Sequence, residues 1–132
     1  MIESAFYSAL SSAPAVAALV TTPANGPAPA ALRIYPLLVP TDSQLPAIDY
    51  SFIGGSAQGS FDTRGIAKLR VECNCWGETY SDAVTLRAAV VEALGTYNDG
   101  TISIRYLMPH DFFDDVLLQY RACAEFYVMA SI

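Results

Sequence analysis

Few residues in this chain are of the types that do chemistry, and their spacing limits what each can do. His110 is the only histidine, so one chain cannot form a metal site with two histidine ligands or a paired-histidine centre. No glycine-flanked serine of the nucleophile-elbow kind accompanies it, and beside Asp111 it reads as a loop residue without a catalytic role. Cys73 and Cys75 stand two apart in an alternating segment. Both therefore point to one face about 7 Å apart, which suits packed thiols better than a disulfide. A metal would need two further ligands, and Cys123 alone does not complete a tetrahedral set.

The other polar clusters read in the same way. Gly54, Gly55 and Gly59 have neither the spacing nor the following helix of a phosphate-binding loop, which leaves a flexible hairpin tip. Asp111, Asp114 and Asp115 suggest a divalent cation, yet neighbours on one turn do not converge on an ion without ligands from elsewhere. They read as a solvated acidic loop. The expectation is no catalytic residue, no metal, no cofactor and no enzyme. Two features resist so plain a reading. Arg87 falls within the apolar arc of a helix, where its charge either snorkels outward or meets an acid such as Glu125 across a subunit boundary. Phe112 and Phe113 are adjacent and cannot share one core easily, so one tucks under the sheet while the other docks a partner.

These residues sit on elements that the apolar spacing outlines. Ile2, Phe6 and Leu10, with Ala5 and Ala9, predict a short amphipathic helix, and Pro14 starts a second that places Val16, Leu19 and Val20 in the same core. Thr21 to Ala31, with Pro23, Gly26, Pro27 and Pro29, breaks regular structure. Strands are predicted at Arg33 to Pro36, at about Ala47 to Ile53, and at Ala67 to Cys75, where apolar and polar residues alternate most clearly. Gly54 to Gly65 reads as a long, mobile hairpin loop. Thr79 with Asp82 resembles a helix cap, followed by a helix whose face is Tyr80, Ala83, Leu86, Val90 and Leu94, ended by Gly95. Ile102, Ile104 and Tyr106 give a fourth strand. The last strand, about Val116 to Ala130, exceeds the usual length and either leaves its own domain or pairs with a neighbouring subunit. The class is α+β, in the order α-α-β-β-β-α-β-β: an antiparallel sheet of four to five strands, with short N-terminal helices and the main helix packed on one face.

Composition bounds the rest. The chain has 132 residues, enough for one domain with a real core, and 53% of them are apolar against 15% charged, which leaves little charge to cover a monomer. Some of that apolar surface is expected to face other subunits. A net charge of -6 argues against a nucleic-acid binder held by phosphate contacts. Three cysteines without a secretory signal are expected to stay reduced, the N-terminus has no Lys or Arg before Arg33, and the apolar run Ala13 to Val20 is too short to span a membrane.

One resemblance spans most of the chain. The runs Ala15 to Val20, Arg33-Ile34-Tyr35-Pro36, and Leu45-Pro46-Ala47-Ile48 with Tyr50 follow one another in an order and spacing similar to short phage tail-completion proteins, related in fold to tail terminators. Val71 to Trp76 with Thr79-Tyr80, the helix Ala83 to Leu94, and Tyr120-Arg121 with Phe126 extend the likeness. The chain departs from the family's habit in the proline-alanine stretch before Arg33 and in the segment His110 to Asp115.

The resemblance implies a single tail-terminator-like domain over residues 1–132, located in the virion at the tail-neck region and assembled in the host cytoplasm. Its subunits would form a homo-oligomeric ring, usually a hexamer, that caps the head-proximal end of the tail tube, ends tail polymerisation and offers the head-attachment surface. The partners implied are the tail tube protein and the head-tail connector or neck proteins. Genomic DNA would pass through without specific binding, and no membrane is involved. A ring of about six such subunits would carry roughly -36, a field that repels the duplex and suits a conduit. The alternatives are a head-side neck or connector protein, or a small ligand-binding α+β module with a closed apolar pocket. The expected contact with tube or connector is the loop carrying Gly54, Gly55, Ser56, Gln58, Ser60, Phe61, Asp62 and Arg64. The expected subunit interface holds Arg87, Arg121 and Glu125, and the expected docking loop is His110, Asp111, Phe112, Phe113, Asp114 and Asp115.

Overall fold

The computed structural model describes residues 2–22, 24–27, 29–40, 43–60, 63–114 and 119–131, with the side chains at 56–60, 63–66, 110, 114 and 131 outside that description. Apolar residues at helical spacing form α1 (Ile2–Ser11), which buries Phe6, Ala9 and Leu10. Pro14 then occupies the first turn of α2 (Pro14–Val20), where its missing N–H costs nothing, and Val16 and Val20 are buried. Two short strands, β1 (Thr21–Thr22) and β2 (Ala31–Leu32), pair antiparallel at the two ends of the proline-rich stretch that follows, of which Pro23 and Ala28 lie outside the described residues.

The main sheet has five strands in the order β3-β4-β5-β7-β6. They are β3 (Ile34–Pro36), β4 (Ala47–Ser60), β5 (Thr63–Gly77), β6 (Ile102–Asp114) and β7 (Gln119–Ser131), with α3 (Tyr80–Leu94) connecting β5 to β6. The class is α+β. The sheet is mixed rather than wholly antiparallel, because β3 pairs parallel with β4 while the other pairs are antiparallel. Thr79 caps α3, its Oγ1 accepting from the Asp82 backbone N–H at 3.1 Å, and the Gly95 N–H closes the last turn on the Val91 carbonyl at 2.8 Å.

The three helices lie on one side of the sheet and close a single apolar core. Ile48 and Tyr50 from β4, Val71, Cys73 and Cys75 from β5, and Ala122, Ala124, Phe126 and Val128 from β7 face Leu86, Val90 and Leu94 of α3. Each large side chain buried there stabilises the fold by about 1.5–3 kcal/mol. Tyr80, expected on this face, is instead 49% exposed because it stands at the first helical position and turns its hydroxyl to Asp111.

Three expectations about strand ends are corrected. The glycine-rich stretch from Gly54 is an arm rather than an open loop: β4 and β5 stay paired through Gln58 opposite Ile66 to Ser60 opposite Thr63. Gly54 sits at φ +149° beside a bulge between Phe52 and Gly54, and a Cβ on Gly55 would meet the Lys68 carbonyl oxygen at 2.5 Å. Those glycines serve a bulge and a close strand approach. The segment from His110 is likewise strand, since β6 continues to Asp114 past a second bulge between Tyr106 and Met108. Finally, β7 neither leaves the chain nor offers a free edge, because it pairs along its length with β5 on one side and β6 on the other. Val116 and Leu118 lie outside the described residues.

Candidate functional site

The sheet's second face, turned away from the helices, carries a set of polar and aromatic side chains in contact with one another. Alternation along β4, β5, β7 and β6 places Asp49, Glu72, Asn74, Trp76, Arg121, Glu125 and Tyr127 here, because each is paired in register with another of the same face. Asp49 is 3% exposed and accepts two hydrogen bonds of 2.7 Å, from Asn74 Nδ2 to Oδ1 and from Trp76 Nε1 to Oδ2. Burial pushes its carboxyl above the ordinary 3.8, against the lowering effect of those two donors and of the Arg121 charge. Arg121 lies over the Phe112 ring at 4.6 Å and beside Trp76 at 5.8 Å. Next to them Arg70 reaches Glu125 at 2.7 Å, and Lys68 Nζ sits 4.0 Å from the Tyr127 ring centre.

This face is not fully satisfied among the described residues. The Nε atoms of Arg70 and Arg121 and the Oδ1 of Asn74 are buried with no hydrogen-bond partner among them. Glu72 and Glu125 stand directly opposite each other on β5 and β7, a like-charged pair that Arg70 offsets from the Glu125 side. At its rim Met108 and Phe112 are 48% and 53% exposed.

The bulge in β6 decides where the other expected residues go. It shifts the alternation so that Asp111 and Phe113 turn toward the helices while Phe112 turns away. Asp111 then accepts from Arg87 Nη1 and, at 2.6 Å, from the Tyr80 hydroxyl. Phe113 packs on Tyr120 with ring centres 4.8 Å apart. Within the chain Arg87 and Glu125 lie on opposite sides of the sheet, where Arg87 bonds to Asp111 and Glu125 is held by Arg70, so a pairing of the two belongs to a contact between subunits. His110 and Asp114 are placed only by backbone register, opposite Cys123 and Gln119, and Asp115 lies outside the described residues. Of the arm, Gly54 and Gly55 are described fully and Ser56, Gln58, Ser60 and Arg64 by backbone alone, while Phe61 and Asp62 lie outside the description.

Two groups escaped the sequence reading. Arg33, 8% exposed, donates from Nε to the Pro46 carbonyl at 2.9 Å, from Nη1 to Thr22 Oγ1 at 2.7 Å and from Nη2 to the Leu19 carbonyl at 3.4 Å. It ties α2 and the proline-rich stretch to the segment entering β4. Leu37 and Leu38, 75% and 72% exposed, form a γ-turn at the end of the edge strand β3, with Leu37 at φ +70° and the Leu38 N–H bonded to the Pro36 carbonyl at 2.8 Å. Three acceptors converging on a buried arginine cannot be read from spacing, whereas the run Leu37-Leu38-Val39 before Pro40 is a visible signal.

The model of the family described as Tail completion protein gp17 matches residues 4–112, more than three quarters of the chain. The chain belongs to the tail completion protein gp17 family. It is therefore a structural tail-completion protein of phage-type virions, and its family is not one of enzymes. No curated protein is similar enough in sequence to match it. Among solved structures, a chain from "Virion of native gene transfer agent (GTA) particle" has a similar fold, with a TM-score of 0.66 at 19% identity over 96% of this chain and 91% of that one.

The tail completion protein's three cysteines are free and buried. Burial raises all three thiols, Cys123 to about 12, so none forms a thiolate nucleophile at neutral pH. Cys123 also faces the opposite side of the sheet from Cys73 and Cys75, so the three cannot converge on one ion. Among the described residues no three His, Cys, Asp or Glu side chains group as a metal site, and no helix is long and apolar enough to cross a membrane. The depressions beside Gly100–Ser103 and beside Thr96–Arg105, about 210 and 200 Å³, are open to solvent. Neither is the closed apolar pocket that a small-ligand module requires.

Proposed function

We propose that this tail completion protein acts as a single domain that assembles into a ring of about six subunits, caps the head-proximal end of the tail tube, stops its polymerisation and presents the surface to which the filled head attaches. Family membership over residues 4–112 is the observation that carries the reading. Two physical features support it. The net charge of -6 per chain suits a conduit that must let a duplex slide without gripping its phosphates. The second face of the sheet, with Met108 and Phe112 exposed and two guanidinium Nε atoms unpartnered, has the aromatic and arginine composition of a surface completed by association. On this reading the β4–β5 arm from Gly54 to Arg64 contacts the tube or connector, and Phe112 lies at a docking surface.

Negative-stain images of the purified protein, alone and mixed with tail tubes, test the proposal: rings, and density at one end of each tube, are expected. Particles lacking the protein should show filled heads beside free, overlong tails. Unstable heads beside normal tails would move the protein to the head side of the neck. Absence of any oligomer, even with tail tube protein present, overturns the ring.

A further inference from the structure

The two outer surfaces of the subunit differ in charge. Of the chain's seven Lys and Arg residues, Lys68, Arg70, Arg105 and Arg121 all stand on the open face of the sheet, at register positions opposite Met129, Tyr127, Tyr127 and Trp76. The helical layer is the reverse. Glu3 of α1, Glu78 ahead of α3, and Asp82 and Glu92 on α3 are exposed, while α1 and α2 contain no basic residue and Arg87 of α3 is bonded to Asp111. Between Asp82 and Glu92 the outward residues Thr85 and Ala88 are short, so a partner can approach the helix backbone closely.

We propose that the open face of the sheet seats on the acidic helical layer of a second copy of this chain, so that successive subunits join by a contact between unlike faces. The inference rests on the ring reading and says which surfaces close it. A contact between unlike faces repeats head to tail and closes into a ring where its rotation allows, whereas a face pairing with itself stops at a dimer. The cations of the open face need carboxylate partners, and the helical layer offers the exposed Glu3, Glu78, Asp82 and Glu92. Trp76 and Tyr127 stand toward the middle of that face and the exposed Phe112 and Met108 at its rim, which gives the charge pairs an aromatic surface to work around.

Strand-edge pairing is the competing route to a ring. At one edge β3 covers β4 only from Ile48 to Tyr50 and the β4 edge beyond it is kinked by the bulge between Phe52 and Gly54, while at the other β6 carries a bulge and Pro109, whose missing N–H interrupts a ladder. A nucleic-acid contact is disfavoured on the same face. Asp49, Glu72 and Glu125 are interleaved with its cations, and Arg70 is already committed to Glu125.

Charge reversal tests the pairing. One variant carries Arg105→Glu with Arg121→Glu, and a second carries Asp82→Lys with Glu92→Lys. Circular dichroism and thermal melting confirm the fold of each, and Arg105→Glu alone serves if the Arg121 change unfolds the chain. Measured by analytical ultracentrifugation at moderate salt, each variant alone should raise the dissociation constant of the assembly about tenfold or more. An equimolar mixture should regain assembly, because the reversed sheet face of one chain then meets the reversed helical face of the other, and the recovered rings should contain both chains in equal number by mass spectrometry. Normal assembly of either variant alone overturns the face pairing and leaves the ring reading standing. Failure of the unmodified protein to assemble, with or without tail tube protein, removes the ring reading itself. Normal assembly of the first variant with lost retention on a DNA-duplex column would assign the open face to nucleic acid.

Discussion

The two faces of the sheet are built from the same strands and finished differently. On the helical side Val71, Cys73, Ala124 and Phe126 are fully buried, and among the described residues no buried side-chain nitrogen or oxygen is left without a partner there. On the other side, one residue further along the same strands, Asn74 and Glu125 are nearly as buried, yet Arg70, Asn74 and Arg121 each keep a buried atom unpaired. Covering by helices completes the first face within the chain. The second achieves burial by laying long aromatic and cationic side chains flat over short polar ones. A face that is dry but unsatisfied is what a subunit surface looks like before its neighbour arrives.

Substitutions can break this contrast or sharpen it. Phe126→Ala, on the covered face, should cost about 3–5 kcal/mol by opening a cavity and should lower the melting temperature steeply. Next comes Arg33→Met, which strands the Pro46 and Leu19 carbonyls and Thr22 and should cost about 2–4 kcal/mol in urea unfolding. Asp49→Ala should cost about 1–3 kcal/mol by orphaning the Trp76 and Asn74 donors. Asp49→Asn should stay within about 1 kcal/mol, because an amide oxygen still accepts from Trp76 and its NH2 can donate to the free Asn74 oxygen. The same pair reports pH. Burial raises the folded carboxyl above 3.8, so the folded state holds its proton more tightly than the unfolded state. The unmodified protein therefore loses stability as pH rises from about 3.8 through the folded value, and Asp49→Asn lacks that loss. The smallest effect on folding belongs to Phe112→Ser, expected within about 1 kcal/mol in the monomer while assembly weakens. If it instead unfolds the chain, the open face is a second core and the contrast fails.

Much of this could be read from residue order, where periodicity and local chemistry decide the outcome. The cap at Thr79, the span of α3 and the alternation from Ala67 to Cys75 depend on neighbours in sequence. What could not be read depends on distant partners. That β7 lies inside the sheet follows from where β6 returns after α3, and the parallel docking of β3 follows from the long connection to β4. Glycines at 54 and 55 read as a loop because a bulge and a close strand approach use the same residue type as a flexible tip. Arg87 reads as snorkelling outward or as meeting an acid such as Glu125 of a neighbouring subunit, because its acid within the chain, Asp111, is brought to it only by a single extra residue in β6. The polar face as a site was invisible for a related reason: Asp49 and Trp76 are far apart in sequence, and only strand register makes them neighbours.

The β6 bulge at Leu107 gives this chain a way to change its surface that needs no substitution. Upstream of it Ile102 and Ile104 are locked into the core; downstream, every residue owes its side of the sheet to the presence of that one extra position. Deleting it would exchange the sides of Phe112 and Phe113 and swing Asp111 away from Arg87, with the core sequence unchanged. In a lineage under pressure to fit new neck partners, a one-codon deletion or insertion at this point would re-letter the exposed surface in a single step.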